Sequence, residues 1–301
     1  MRAQADESHP DLRAALGHIL AAGGKRVRPT LSLLVGNILG GEEWRLITLG
    51  AAVELLHTAT LVHDDLIDGA LLRRGIPTLN AHWSPPATVL TGDFLFARAA
   101  ILAAETDYLP LMKAFSETLA IIVNGELSQM FNSRGLISRD NYYKRIYAKT
   151  ASLFEMTTRA AAMISPVDED MVEAMRDFGY QIGMAFQVLD DILDFTGEEN
   201  MVGKPVGSDL LNGLVTLPAI YYAEAHPDDA DVLSLPQGGW TNSKNMTRLV
   251  ENIRNSDAAK KSMREASQFI DRALLRLKPL QPSAERDALE SLAKYIVDRR
   301  V

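Results

Sequence analysis

The sequence contains no cysteine in its 301 residues. Disulfides, thiolate nucleophiles, iron–sulfur clusters and cysteine-ligated zinc are excluded together, and a reducing, cytoplasmic setting is the expectation that follows. Positive charge is also in short supply, since 31 Lys and Arg against 39 Asp and Glu leave a formal net charge of -8. No general field attracts nucleic acid or anionic lipid, so an anionic ligand must be held by a local cation cluster or through metal. The amino terminus, Met1 to Pro10, lacks an apolar segment and reads neither as a secretory signal nor as a basic amphipathic transit peptide. The most apolar stretches, such as Phe94 to Ala104, are broken by Arg98 and fall short of the roughly 20 residues a membrane span requires, so no span is expected. Low-complexity tracts and repeats of roughly twenty to fifty residues are missing too, which argues against a solenoid.

What is present is a globular composition, 47% hydrophobic and 23% charged, sufficient for a sizeable core. Alanine- and leucine-rich segments repeat with helical periodicity, and alternating β-branched runs are few. The fold class expected is all-α, with helices over 11–22, 30–39, 43–68, 87–104, 110–131, 139–164, 169–195, 217–225, 244–255, 258–276 and 284–299. Ser138, Asp168 and Ser283 stand where N-caps belong. Composition shifts only at 197–213 and 235–244, and neither segment reads as an interdomain linker, so residues 1–301 are expected to form one domain.

One short string occurs twice, each time at the end of a long apolar helix: Asp64-Asp65-Leu66-Ile67-Asp68 and Asp190-Asp191-Ile192-Leu193-Asp194. Positions four apart on a helix lie about 40° apart, so Asp64 shares a face with Asp68, and Asp190 with Asp194. Like charges so close repel unless a cation or substrate offsets them. Oxygen-only ligands suit a hard ion, and Mg2+ typically takes one or two carboxylates plus phosphate oxygens and waters. A single string of this kind reads equally well as a solvated acidic helix end; its recurrence favours metal and a phosphorylated substrate. The cations agree. Gly23-Gly24-Lys25-Arg26-Val27-Arg28-Pro29 sets three of them beside a glycine pair at a helix boundary, and Arg73 and Arg74 follow the first string. Each basic cluster alone reads as a solvated turn; beside two metal-binding faces they suggest sites for two diphosphates.

In this order the motifs resemble the trans-isoprenyl diphosphate synthases of the polyprenyl synthetase family, over nearly the whole chain. The resemblance rests on the Gly23–Pro29 motif, His57 in Glu54-Leu-Leu-His-Thr, the first aspartate string with Arg73 and Arg74, Gly92-Asp93 and Gly125-Glu126 with Gln129. It continues through Lys149-Thr150, Phe186-Gln187, the second string, Gly203-Lys204-Pro205, Asp209 and the carboxy-terminal Tyr295-Ile-Val-Asp-Arg-Arg. It implies a helical bundle of the isoprenoid synthase type around a large central cavity. It further implies a metal set of Asp64, Asp65, Asp68, Asp190 and Asp194, holding about three Mg2+ ions with substrate bound. By the same resemblance Asp64, Asp68 and Asp190 bridge metal to an allylic diphosphate, while Asp65, Asp194 and, beside them, Asp191 shape the clusters. Arg73 and Lys204 grip the allylic diphosphate; Lys25, Arg28, His57 and Arg74 hold isopentenyl diphosphate without metal. Lys149, Thr150 and Gln187 turn their dipoles toward the allylic carbon where positive charge develops. Isopentenyl diphosphate and an allylic diphosphate are thus the implied partners, with a homodimer as the expected assembly. A histidine such as His57, taken alone, is more often a structural residue.

Small residues precede the first string. Ala59 and Thr60 stand where family members that stop early carry large aromatics, and the two-residue insertion of shorter-product enzymes is absent. Val53, eleven residues before Asp64, lies about 16 Å along the helix axis, which leaves room for several isoprene units. A medium-to-long product follows, of about twenty carbons or more, with roughly thirty to fifty carbons the preferred range. Gly179 and Gly183 line nearly the same helix face as Asp190 and fit either close helix packing or a cavity wall. Leu214 stands where many family members have lysine, and the segment before Gly23 is short for the family. The rival readings are a class I terpene cyclase, which pairs the first motif with a different second one, and a catalytically silent partner subunit.

Overall fold

The computed structural model describes residues 10–21, 23–73, 75–132, 135, 137–197 and 206–298. Arg74, Lys204 with its Gly203 and Pro205 neighbours, and the terminal Arg299-Arg300 lie outside the described residues.

Helices carry the chain: α1 Pro10–Ala21, α2 Val27–Ile38 and α3 Glu43–Ile67, then a two-residue antiparallel hairpin of β1 Leu72–Arg73 and β2 Ile76–Pro77, and α4 Leu79–His82. After these come α5 Pro85–Glu105, α6 Leu109–Asn132, α7 Arg139–Ile146, a π-helical turn Tyr147–Ala151, α8 Ser152–Met163 and α9 Glu169–Thr196. The last are α10 Ser208–Leu211, α11 Leu217–Ala225, α12 Ala230–Ser234, α13 Ser243–Arg254, α14 Ala258–Leu277 and α15 Ala284–Asp298. The all-α expectation holds. Caps define the boundaries as the sequence indicates: Ser138 Oγ accepts from Asn141 N, Asp168 Oδ1 from Met171 N and Ser283 Oγ from Arg286 N. The expected single helix over 139–164 is instead broken by the π turn, whose extra residue per turn periodicity alone does not reveal.

Contacts gather into two compact units, each made of two chain segments. The first comprises Met1–Ser116 and Thr157–Val172. Its centre is α3, where Leu46, Leu49, Val53, Leu56 and Ala59 are fully buried, each large side chain contributing about 1.5–3 kcal/mol through removal from water. α3 packs on α2 and α5. Gly50 allows the close approach of α2, since a Cβ there would touch Pro29 at 3.4 Å. The second segment joins through Ser165, whose Oγ lies 2.6 Å from where a Cβ on Gly41 would stand.

The second unit comprises Glu117–Met156 and Glu173–Val301. Met246, Leu249, Val250 and Ile253 form the buried stripe of α13, and α14 packs on α11 and α15. Polar ties join these helices. Arg139 reaches Glu224 and Glu265 and stacks 4.3 Å from the Tyr221 ring, while Arg276 and Arg272 of α14 bond Asp177 and Gln181 of α9.

Two helices correct the reading of hydropathy. α3 and α5 are each long and apolar enough to cross a membrane, because α5 extends well beyond Phe94–Ala104 and spreads its few charges along twenty-one residues. Some 61% of the apolar window of α3 is buried inside the protein against 39% for α5. That difference leaves Leu90 and Ile101 on an exposed face of α5, and Trp44 and Ile47 are exposed at the start of α3.

Candidate active site

The first unit presents the cation turn and the first aspartate string. Between α1 and α2 the backbone turns on Gly23 at φ 70° and on Arg26, a non-glycine residue in the left-handed region at φ 50°. A conformation this uncommon needs an anchor. Arg26 forms a close ion pair with Glu54, a buried carboxylate on α3. Glu54 and His57 are three residues apart and share a helix face, so this pair and the Pro29–Gly50 contact dock the turn bearing Lys25 and Arg28 beside the His57 segment. Lys25 is exposed, and Arg28 and His57 are half-buried. The motif Glu54-Leu-Leu-His-Thr singled out the histidine, and the structure adds the glutamate's task.

At the end of α3 the three aspartates diverge. Asp64 is half-buried and Asp68, the C-cap, is exposed. Asp65 is buried and held by Arg73: Nε donates to Oδ1 at 2.9 Å and Oδ2 at 3.1 Å, and Nη2 lies 2.8 Å from Oδ1. This fork comes from β1, so the hairpin returns a cation to the string it follows. The structure therefore places Arg73 on Asp65. His63, missed by the sequence reading, lies against Gly92, where a Cβ would meet its Nε2 at 2.2 Å. The same nitrogen lies 3.1 Å from the Val89 carbonyl oxygen and 3.5 Å from Asp93, which explains the Gly92-Asp93 pair.

The second unit presents the other string and the residues assigned to the allylic carbon. Lys149 and Thr150 lie on the π turn, a rare conformation that re-aims side chains and recurs at functional sites. Lys149 Nζ pairs with Glu126 Oε1 at 2.9 Å. Gly125 permits this, because a Cβ there would overlap Ala148 at 2.5 Å. Thr150 Oγ1 donates to Gln187 Oε1 at 2.6 Å, so two of the three sequence-assigned dipoles are in direct contact. Gln187 Nε2 donates to Asp191 Oδ1 at 2.8 Å, and Tyr142 Oη donates to Asp191 Oδ2 at 2.7 Å. Asp191 is 3% exposed and Tyr142 1%. Burial, reinforced by the charge of Asp209, pushes the Asp191 carboxyl up to about 7, and burial with the Asp191 charge raises the Tyr142 phenol well above its ordinary value.

Asp190 is half-buried. Asp194 is engaged on both oxygens: Ser208 N and Oγ donate to Oδ1 at 3.1 and 2.8 Å, and Asp209 N donates to Oδ2 at 3.2 Å. Asp194 thus fastens the first turn of α10. Gly183 closes its two readings in favour of packing, since a Cβ there would lie 2.5 Å from Ala151 Cα. Leu214 donates its backbone N–H to the Asp209 carbonyl oxygen at 2.8 Å.

Among the described residues no three acidic or histidine side chains converge as a ready-made metal cage. The donor chemistry nevertheless fits Mg2+, which demands few carboxylates and completes its octahedron with substrate phosphates and water. In the first unit Asp64 and Asp68, one helical turn apart, are carboxylates of that kind, as is Asp190 in the second; Asp65 is bound by Arg73, and Asp194 bonds to the start of α10.

Comparison with known proteins gives this chemistry a family. Residues 9–253 match the model of the polyprenyl synthetase family. The chain is 38% identical over 299 residues to heptaprenyl diphosphate synthase component 2 of Geobacillus stearothermophilus, spanning 99% of this chain and 92% of that one. Its structure resembles heptaprenyl diphosphate synthase from Staphylococcus aureus with a TM-score of 0.93 and 33% identity, covering 100% of this chain and 95% of that one. It also resembles a polyprenyl synthase from Caulobacter crescentus complexed with calcium and isoprenyl diphosphate, with a TM-score of 0.91, 34% identity and coverage of 100% and 92%. A family match across most of the chain, with relatives aligned nearly end to end, shows that the chain belongs to the polyprenyl synthetase family and is a trans-prenyltransferase.

Proposed function

We propose that this prenyltransferase condenses isopentenyl diphosphate head-to-tail with an allylic diphosphate, in the presence of Mg2+, to give an all-trans polyprenyl diphosphate of roughly thirty to fifty carbons by the helix length before Asp64. The observation that carries the reading is on α9. Gln187, bonded to Thr150, precedes Asp190 by three residues and so shares its helix face, which joins a cation-directed dipole pair to a candidate metal carboxylate within one rigid element.

Mg2+ held by Asp64, Asp68 and Asp190 would neutralise the charge that develops on the departing diphosphate. Lys25, Arg28, His57 and Arg74 hold isopentenyl diphosphate as a cation set, and Lys204 binds the allylic diphosphate. Arg73 acts through Asp65, keeping that carboxylate fixed beside Asp64. The allylic C–O bond breaks with its electron pair leaving on diphosphate, and the oxygens of Thr150 and Gln187 face the carbon left positive. The isopentenyl double bond supplies the electrons of the new C–C bond, and a proton is then lost to the leaving diphosphate. No protein nucleophile enters. Exposed apolar side chains on α3 and α5, Trp44, Ile47, Leu90 and Ile101, support a homodimer.

The test is mass spectrometry of products from purified protein with isopentenyl diphosphate and, separately, ten-, fifteen- and twenty-carbon allylic diphosphates, with a metal-free control. Metal-dependent extension past twenty carbons is the expected result. A second reading has its own support in the Geobacillus relative, whose name makes it one component of a synthase, and in Leu214 where lysine is usual. No condensation until a second protein is added would establish that partner-dependent reading, and a cyclic hydrocarbon product would establish a cyclase.

A further inference from the structure

Four side chains of the second unit, two on α9 and two on the stretch from α7 into the π turn, form one hydrogen-bonded line, Tyr142 to Asp191 to Gln187 to Thr150. We propose that Tyr142 and Asp191 are positioning residues that fix the polarity of the Thr150–Gln187 pair, so that its oxygen ends and not its N–H and O–H ends face the reacting allylic carbon.

The argument is one of donors and acceptors. A glutamine amide has two ends of nearly the same shape, one accepting and one donating, and its neighbours alone decide which way it points. Ionised, the Asp191 carboxylate offers only acceptors, so it draws the Gln187 NH2 to Oδ1 at 2.8 Å. The amide oxygen then turns to Thr150, whose hydroxyl proton is committed to it at 2.6 Å. What remains on this pair is the lone pairs of Thr150 Oγ1, the second lone pair of Gln187 Oε1 and, on the side of the amide turned to Asp191, the second Gln187 N–H. Tyr142 closes the line at its far end. Its hydroxyl occupies Asp191 Oδ2 at 2.7 Å, and at 1% exposure it has no exchange with water. The carboxylate, held on both oxygens, does not rotate, and the amide it governs does not flip. Tyr142 lies on α7, just before the π turn that carries Thr150, so the line begins and ends on one stretch of chain and crosses α9 between.

With its two oxygens engaged by Gln187 and Tyr142, Asp191 differs in task from Asp190 beside it. The inference rests on the reading that Thr150 and Gln187 face the allylic carbon, and its test separates the two. Wild type, Tyr142→Phe, Asp191→Asn and the double variant are assayed with isopentenyl diphosphate and a fifteen-carbon allylic diphosphate. For each, kcat, the KM of both substrates, the Mg2+ half-saturation point and the far-UV circular dichroism melt are measured. Asp191→Asn presents an amide that lets Gln187 flip, so kcat falls by about tenfold or more, as misplaced preorganised dipoles do, while both KM values and the Mg2+ midpoint stay within about twofold. Tyr142→Phe falls less, and the double variant falls no further than Asp191→Asn within about threefold, because one line is broken only once. An unchanged kcat in an active wild-type background overturns the proposal. So does a large rise in the Mg2+ midpoint, which makes Asp191 a metal ligand, and so does loss of the helical signal in both single variants, which makes the line a prop of the fold. Absence of condensation by the wild type overturns the synthase reading itself.

Discussion

Two helices, α3 and α9, end in the same frame of aspartates, and the two ends are embedded in opposite ways. Asp65, the middle residue of the first, is compensated by a cation: Arg73 folds back from the hairpin, with its side chain 38% exposed. Asp191, the middle residue of the second, is hydrogen-bonded by two neutral donors, Tyr142 and Gln187, at 3% exposure, and the Arg145 charge adds only a smaller favourable field. The third residues differ as well, for Asp68 is an exposed C-cap while Asp194 is spent on Ser208 and Asp209. The first end is therefore electrostatic and open to water, and the second is a dry hydrogen-bonded network. Repetition of a motif says that the same ion chemistry recurs; it does not say that the middle positions do the same work.

The largest test of this contrast is removal of what the ends share. Asp64→Ala and Asp190→Ala should each lower turnover by a factor on the order of 10^3, as the loss of transition-state charge stabilisation does, with thermal melts near wild type. Retained activity in either variant, read by product formation, would remove that carboxylate from the metal set. Next in size is a steric pair. Ala59 and Ala185 each stand five residues before the first aspartate of their string, and both are fully buried. Phenylalanine at either site costs about 1–3 kcal/mol in overpacking, but only Ala59→Phe should shorten the product, because α3 is read as lining the tail path. Equal product distributions from the two variants would take α3 out of the length argument.

A pH test follows. The Asp191 carboxyl is raised in the folded protein to about 7 from an ordinary value near 3.8, chiefly by burial. Its contribution to stability is fully present below the unfolded value and is lost as pH rises through the folded value. The advantage in Tm of wild type over Asp191→Asn should thus be greatest in acid, shrink up to about pH 7 and stay flat above it. A difference that does not change with pH would place the carboxyl in a wetter site than the structure shows. The smallest effect belongs to the first end. Arg73→Gln should cost at most about 1 kcal/mol of stability, and high salt should reduce that cost, as for other partly exposed ion pairs. A salt-independent loss would mean the Asp65–Arg73 pair is shielded from solvent like its counterpart.

Much of this architecture is legible in the residues. Helix existence follows from apolar spacing, and the starts at Arg139, Glu169 and Ala284 follow from Ser138, Asp168 and Ser283, because a cap needs only a side-chain oxygen two or three residues from the N–H it satisfies. Less accessible were the short elements, β1–β2, α4, α10 and α12, which are too brief to show a period. The π turn was invisible for a related reason: one extra residue within an otherwise helical run leaves the composition unchanged. Within the candidate site the sequence assigned roles to Thr150, Gln187 and the aspartates but none to Tyr142 or Glu54, since a tyrosine in the polar α7 and a glutamate in the apolar α3 look like ordinary residues until their partners are seen.

By itself, then, the sequence determined the helical class, the family and the candidate carboxylates for an ion, because each depends on spacing within one helix or on residue types in order. Only the tertiary structure decided which aspartates are spent inside the protein. Tyr142 and Asp191 are 49 residues apart, Arg26 and Glu54 28, and Asp194 and Ser208 14. Whether such groups meet depends on how helices pack, and at those meeting points burial converts a repeated string of charges into a salt-bridged partner in one place and a fixed hydrogen-bond acceptor in another.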